Sequence, residues 1–243
     1  MLFLFSHRFL ALARWDIHFL AVRLRNVLTG QDGRIRRFLD TRQRPTFLNL
    51  GSGPRGLEEG NWVNIDGYRD HNVHFCIDFS RRLPFADATF DGIFCEHVVE
   101  HFSLEQGREL LREIHRILRP GGWARIIVPD GAVVMRAYFD DPERLIAHRG
   151  QRDRTAMQVV NDYFRQRYEH QFLYDWETME RMLSEAGFDR VCRCSFGEGR
   201  GPAALRIDDR KYAWESLYAE ARTPLQPAAP GQPGHEPAPL HKR

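Results

Sequence analysis

Phe47-Leu-Asn-Leu-Gly-Ser-Gly-Pro-Arg-Gly56 and, close behind it, Trp62-Val-Asn-Ile-Asp66 decide how this chain folds. A short apolar run ends in glycines, and a second apolar run ends in a carboxylate. The pattern predicts two parallel strands. The tip of the first lets a ligand approach the backbone, and the acid ending the second is placed to accept from paired hydroxyls, as on a ribose. Between Gly53 and Trp62 there is room only for a turn or short helix, whereas a full crossover takes about a dozen residues or more. Cover on that side of the sheet is therefore expected to be thin, with the N-terminal helix placed to fill the gap.

Further along, apolar runs predict strands at 46–50, 62–66, 73–77, 90–95, 123–129, 189–196 and 215–221. A helix is expected over 97–118, with Leu104, Leu110, Leu111, Ile114 and Leu118 on its apolar side and Pro120-Gly121-Gly122 as its stop. The charged stretch from Tyr138 to Arg167 is expected to be helical or a lid. Asp175 is placed to cap a helix running to Ala186 and ended by Gly187. This alternation favours an α/β, Rossmann-like fold: an open, mostly parallel seven-stranded sheet with helices on both faces, a shortened first crossover and an extra N-terminal helix.

Residues 1–45 form a separate unit, an amphipathic helix and basic linker. Phe3, Leu10, Ile17 and Leu24, with Ala13, Leu20 and Val27 between, recur at helical spacing. Arg8, Arg14 and Asp16 interrupt any span of about 18 uncharged residues, and the charges lie inside and after the apolar run rather than before it, unlike a signal peptide. The helix either docks on the sheet or lies, with the arginines up to Arg44, on an anionic membrane surface. Residues 46–222 form the main domain, and the Pro- and Ala-rich 223–243 is expected to be disordered.

The 243 residues are 42% hydrophobic with a formal net charge of +2, enough for one core and too balanced to point to nucleic acid. Cys76, Cys95, Cys192 and Cys194 show no C-x-x-C spacing and fit a reduced, cytoplasmic protein. The localisation implied is cytoplasmic, or peripheral on the inner face of the membrane. Gly51-x-Gly53-x-x-Gly56 also spells the dinucleotide motif, but such a site needs a full helix after the glycines and an acid about 20 residues on. NAD is therefore disfavoured.

Asp78-Phe79, Leu83-Pro-Phe-x-Asp87, Phe90-Asp-Gly-Ile-Phe-Cys-Glu-His97, Leu118-Arg-Pro-Gly-Gly-Trp123 and Val128-Pro-Asp130 follow in order. This succession resembles class I S-adenosylmethionine-dependent methyltransferases, and looks closest to a short-crossover branch met beside bacterial surface-polysaccharide genes. The resemblance covers 46–130 strongly and extends more loosely through His170-Gln-Phe-Leu-Tyr-Asp175, Ala186-Gly-Phe188 and Ser216-Leu-Tyr-Ala-Glu220. It implies S-adenosylmethionine as cofactor, with Gly51, Ser52 and Gly53 under its methionine part and Asp66 on the ribose hydroxyls. Asp78 would accept from the adenine amino group, Phe79 would line the ring, and Cys95 and Glu96 would border the methionine end. The family often has an acid two residues before the first glycine; here that position is Asn49.

His97-Val-Val-Glu-His101 matches H-x-x-E-H, an inverted zinc-protease motif. On a helix the two histidines would share a face. Nothing in the sequence marks a third ligand, so no metal is expected. In the methyltransferase reading, His97 or His101 is a candidate catalytic residue that accepts a proton from the substrate; otherwise the pair packs or caps. Glu100 is either a solvated neighbour or a site residue. His170 and Tyr174 are candidate substrate contacts, and Asp130 is a turn residue or a substrate contact. The activity implied is methylation of a small molecule or glycan, with an oxygen nucleophile favoured. The alternative is a non-catalytic binding or scaffold protein of the same fold, at the membrane surface if the N-terminal helix lies there.

Overall fold

The first apolar run becomes β1 (Phe47–Leu50) and the second β2 (Trp62–Asp66), paired in parallel. A computed structural model describes residues 7–58, 60–150, 153–166 and 169–225. In it β3 (Phe75–Cys76), β4 (Phe90–Glu96), β5 (Leu118–Pro129), β6 (Arg190–Cys194) and β7 (Ser216–Arg222) complete one sheet. The order is β3-β2-β1-β4-β5-β7-β6, and β7 runs antiparallel to both neighbours. The expected α/β architecture is therefore present. Leu50 stands beside Ile65 on one side and Cys95 on the other. Gly51, Asp66 and Glu96 thus emerge along one edge of the sheet, its carboxyl end.

Before the sheet lie α1 (His7–Leu28) and α2 (Gln31–Asp40). Later come α3 (Leu104–Ile117), α4 (Gly131–Asp140), α5 (Pro142–His148), α6 (Ala156–Arg165) and α7 (Trp176–Glu185). The main core fills one face of the sheet. Ile35 of α2, Leu110, Leu111 and Ile114 of α3, and Met179 and Leu183 of α7 pack there on Leu48, Val63, Ile93 and Ile126. The charged stretch 138–167 holds the end of α4 and all of α5 and α6, which bury Val134, Leu145, Val159 and Tyr163 together.

Several boundaries differ from expectation for identifiable reasons. The helix expected over 97–118 begins only at Leu104, because Ser103 and Gln106 form a reciprocal capping box there. His97 has φ 53°, in the left-handed region, and a short 3-10 turn covers Val99–His101. His97 and His101 therefore do not share a helical face. The helix stops at Ile117, and Pro120-Gly121-Gly122 lies within β5, where the register against β4 shifts between Phe90 and Gly92. β3 is shorter than the expected 73–77. Thr223 belongs to the folded unit: it is buried and its hydroxyl donates to the Arg119 carbonyl at 2.5 Å. Residues 226–243 of the expected tail lie outside the described residues.

The short crossover leaves the second face of the sheet to be covered from elsewhere, but α1 does not supply that cover. Phe47, Trp62, Phe94, Ile127 and Tyr218 are covered there by Leu57, Phe196, Leu205 and Ile207. The segment between β6 and β7, with 3-10 turns at Ala203–Leu205 and Arg210–Tyr212, does the work. α1 is held instead at the carboxyl edge. His18 Nε2 meets the Gly67 carbonyl at 2.8 Å, and Arg23 donates to Asp78 at 2.6 Å. Asn26 and Gln31 both donate side-chain amides to the Cys76 carbonyl, at 3.0 and 3.1 Å. The stripe Ile17, Leu20, Leu24 and Val27 consequently faces solvent, with Val27 79% exposed. Phe3 of that stripe lies outside the described residues. No described helix is long and apolar enough to cross a membrane.

Candidate functional site

The turn after β1 is built by positions that tolerate little else. Gly51 has φ 76°, and a Cβ there would stand 2.1 Å from Val98 Cγ2. Gly51 and Ser52 both donate backbone N–H groups to the Ile65 carbonyl, at 2.9 and 3.0 Å. Asn49, buried where relatives by resemblance often carry an acid, reaches the Arg55 carbonyl at 3.4 Å and so helps order the turn. Asn64 clips the short crossover by exchanging hydrogen bonds with Leu57, at 2.8 and 3.0 Å.

Three observations bear on whether the turn could hold an adenosyl sulfonium. A Cβ at Gly53 would have nothing within 4 Å, so the turn opens onto free space. Ser52 Oγ is buried with no partner. Asp66 accepts from Gly53 N and Tyr68 N, both at 2.8 Å, one on each oxygen. A carboxylate has about four acceptor positions, so two remain for the donors of a diol. These residues fit the group.

The other acids are already engaged. Asp78 is buried and accepts from Arg23 on one oxygen and from Ser80 N and Oγ on the other. Glu96 is tied to Arg55 at 2.5 Å and to Asp209 N at 2.9 Å. Phe79 is buried in the main core. Cys95 has no exposed surface; burial, followed by the charges of Glu100 and Glu96, pushes its thiol well above the ordinary range.

One cleft borders the turn and another lies beside α1. The first, about 450 Å³, is lined by Gly51, Ser52, Gly53, Glu96, His97 and Tyr212. The other, about 720 Å³, is lined by Trp15, Phe19, Asp78, His101, Phe102 and Gln171 among others. Each histidine of the sequence motif thus belongs to a different cleft. His97 contacts Glu100 Oε1 through Nδ1 and Ser216 Oγ through Nε2, both at 3.0 Å, under the Tyr212 ring. Burial disfavours the charged ring, but the bond to Glu100 and the charges of Glu100, Glu215 and Glu96 outweigh it and raise the His97 pKa.

Glu100 is fully buried rather than solvated. Burial works against its charge, yet the His97 bond and the neighbouring His97, His101 and His170 hold it below the usual range. His170 is buried beside it, and that burial lowers the pKa of its ring. Tyr174 has no exposed surface, and its burial raises the phenol pKa. Asp130 caps α4 by accepting from Ala132 N and Val133 N, and its second oxygen takes Arg193 at 2.8 Å. Sequence reasoning passes over Arg23, Arg55 and the burial of Glu100. The capping box at Ser103 was the available signal, since it starts the helix at Leu104 and so leaves Glu100 outside it.

Residues 63–126 match the family described as Methyltransferase domain. Among curated relatives, a demethylmenaquinone methyltransferase of Chlorobaculum parvum is 41% identical over 72 residues, 28% of this chain and 29% of the relative. A ubiquinone/menaquinone biosynthesis C-methyltransferase of Pseudomonas paraeruginosa is 30% identical over 143 residues, 56% of this chain and 52% of the relative. The matched segments thus span about half of these relatives at most. A solved S-adenosylmethionine-dependent methyltransferase from Archaeoglobus fulgidus is 17% identical, covering 79% of this chain and 92% of that one, with a TM-score of 0.46. The strand order, the glycine turn and the matched stretch from β2 into β5 together give this chain the class I methyltransferase fold.

Proposed function

We propose that this protein transfers the methyl group of S-adenosylmethionine to a small molecule, with a hydroxyl oxygen as the favoured nucleophile. The observation that carries this reading is the pairing of an open glycine turn with Asp66, whose carboxylate is half-exposed and retains acceptor capacity. When bound, the cofactor supplies a methyl group already activated by its sulfonium. Gly51, Ser52 and Gly53 would back its methionine part, Asp66 would hold its ribose, and Asp78 and Phe79 would flank its adenine. The chain's main task is then alignment of the nucleophile. Proton removal falls to a histidine. His97 is the better placed of the two toward the turn, and Glu100 orients its ring and supports the charge it would gain. The names of the curated relatives accord with a small-molecule acceptor, while a sugar or glycan acceptor rests on the polysaccharide-associated resemblance.

Titration calorimetry with S-adenosylmethionine tests the reading. Wild type should bind, and Asp66→Ala should weaken binding at least about tenfold, the loss of charge-assisted hydrogen bonds to two hydroxyls. A wild type that gives no heat at millimolar cofactor overturns it. That result would favour a scaffold protein, a reading supported by the engagement of Asp78 with Arg23 and of Glu96 with Arg55. The exposed stripe on α1, beside exposed Arg14, Arg34, Arg36 and Arg37, supports a peripheral membrane location under either reading.

A further inference from the structure

The 3-10 turn Val99–His101 and the segment before α7 bring Glu100, His101 and His170 together. One ligand atom of each lies within 4.8 Å of the others. Their surroundings are those of metal ligands. His101 Nδ1 faces the Glu169 carbonyl at 3.2 Å, and His170 Nδ1 faces the Tyr163 carbonyl at 2.8 Å. A carbonyl only accepts, so each Nδ1 carries the proton and each Nε2 keeps its lone pair. This is the tautomer in which an imidazole binds a metal while a backbone carbonyl fixes its other nitrogen.

Glu100 supplies the third donor. Its Oε1 meets His97, while Oε2 is buried with no partner. Leaving a carboxylate oxygen unsatisfied away from water is costly. In this tautomer the Nε2 atoms have no proton to offer that oxygen, but the three side chains can share a cation. The second cluster of this kind, Cys192, Cys194 and Glu220, differs: both Glu220 oxygens are taken by Arg125, Arg200 N and Gly201 N.

We propose that Glu100, His101 and His170 bind one divalent first-row cation, such as zinc, manganese or ferrous iron. Two imidazoles and a carboxylate suit these ions and leave coordination positions open. His101 lines the larger cleft with Phe102, Gln106 and Gln171, so the open positions face that cleft and take an oxygen atom of the acceptor. This last role rests on the methyltransferase reading; ion binding does not. Donors about 2.0–2.2 Å from a shared ion stand about 3.3 Å apart, so loading draws the three ligands together by about 1.5 Å or less.

The test uses the full chain, stripped with chelator, dialysed and titrated with Co²⁺ alone while visible absorption is followed. One equivalent should bind with a d–d spectrum, and Zn²⁺ should displace it. His170→Ala and Glu100→Gln should weaken binding at least tenfold. His101→Ala, at a half-buried position, should do the same while leaving the thermal midpoint of the metal-free protein near wild type. Absence of stoichiometric Co²⁺ binding by wild type overturns the proposal, as does undiminished binding by the His101 and His170 variants. Calorimetry with S-adenosylmethionine on the same stripped protein separates the two readings. Cofactor binding together with no Co²⁺ binding sinks the metal site alone, and Co²⁺ binding together with no cofactor binding leaves the site standing while methyl transfer falls.

Discussion

Gly51 concentrates two demands in one position: a left-handed backbone and a side chain no larger than hydrogen beside Val98. Gly51→Ala should destabilise the protein by about 2–4 kcal/mol, combining backbone strain with overpacking. In a Val98→Ala background the same change should cost only about 1–2 kcal/mol, since the clash is gone and the strain remains. Urea denaturation of the four proteins measures both. Equal costs in the two backgrounds would mean that Val98 is not what excludes the methyl group. Such a residue is legible in sequence because turn chemistry is local, and so is Asp66, whose place follows from the end of an apolar run. His97 and Glu100 were not legible in the same way. The left-handed turn and the buried carboxylate arise where β4 hands over to a separately capped helix, and H-x-x-E-H read as continuous helix gives the wrong neighbours.

β5 carries a second feature hidden from pattern reading: an arginine in the middle of a central strand. Arg125 is fully buried, donating to Asp208 at 2.6 Å, to Glu220 at 3.0 Å, and to the carbonyls of Glu198 and Ser195 at 2.9 and 3.1 Å. It staples the segment between β6 and β7 over the face that the short crossover leaves to be covered from elsewhere. Arg125→Met would strand two buried carboxylates and should cost about 3–5 kcal/mol. Amide exchange over 195–212 should accelerate more than exchange in α3; uniform acceleration across the sheet would contradict a local staple. Periodicity located all seven strands but assigned the missing cover to the N-terminal helix. Its partners, Asp208 and Glu220, lie 83 and 95 residues from Arg125, and no local signal joins them.

Taken whole, the molecule places α1 across the carboxyl edge with its apolar stripe outward, so the helix meets solvent with the side that sequence reasoning assigned to docking. The two alternatives left open for that helix therefore apply to opposite faces: one packs through His18, Phe19 and Arg23, and the other is available for a lipid surface. Leu24→Glu with Val27→Glu, at positions 56% and 79% exposed, should abolish co-sedimentation with anionic vesicles while leaving thermal stability within about 0.5 kcal/mol of wild type, as for surface changes generally. Equal pelleting of variant and wild type would dismiss the membrane surface. The arrangement at Cys76 has a different consequence. A sheet ends in two strands that could recruit a neighbouring molecule through unpaired backbone. On one rim the Asn26 and Gln31 amides occupy the carbonyl that an incoming strand would need, and on the other β6 presents exposed Arg190 and Arg193. One border is chemically plugged and the other electrostatically guarded, which disfavours strand-by-strand polymerisation at both ends.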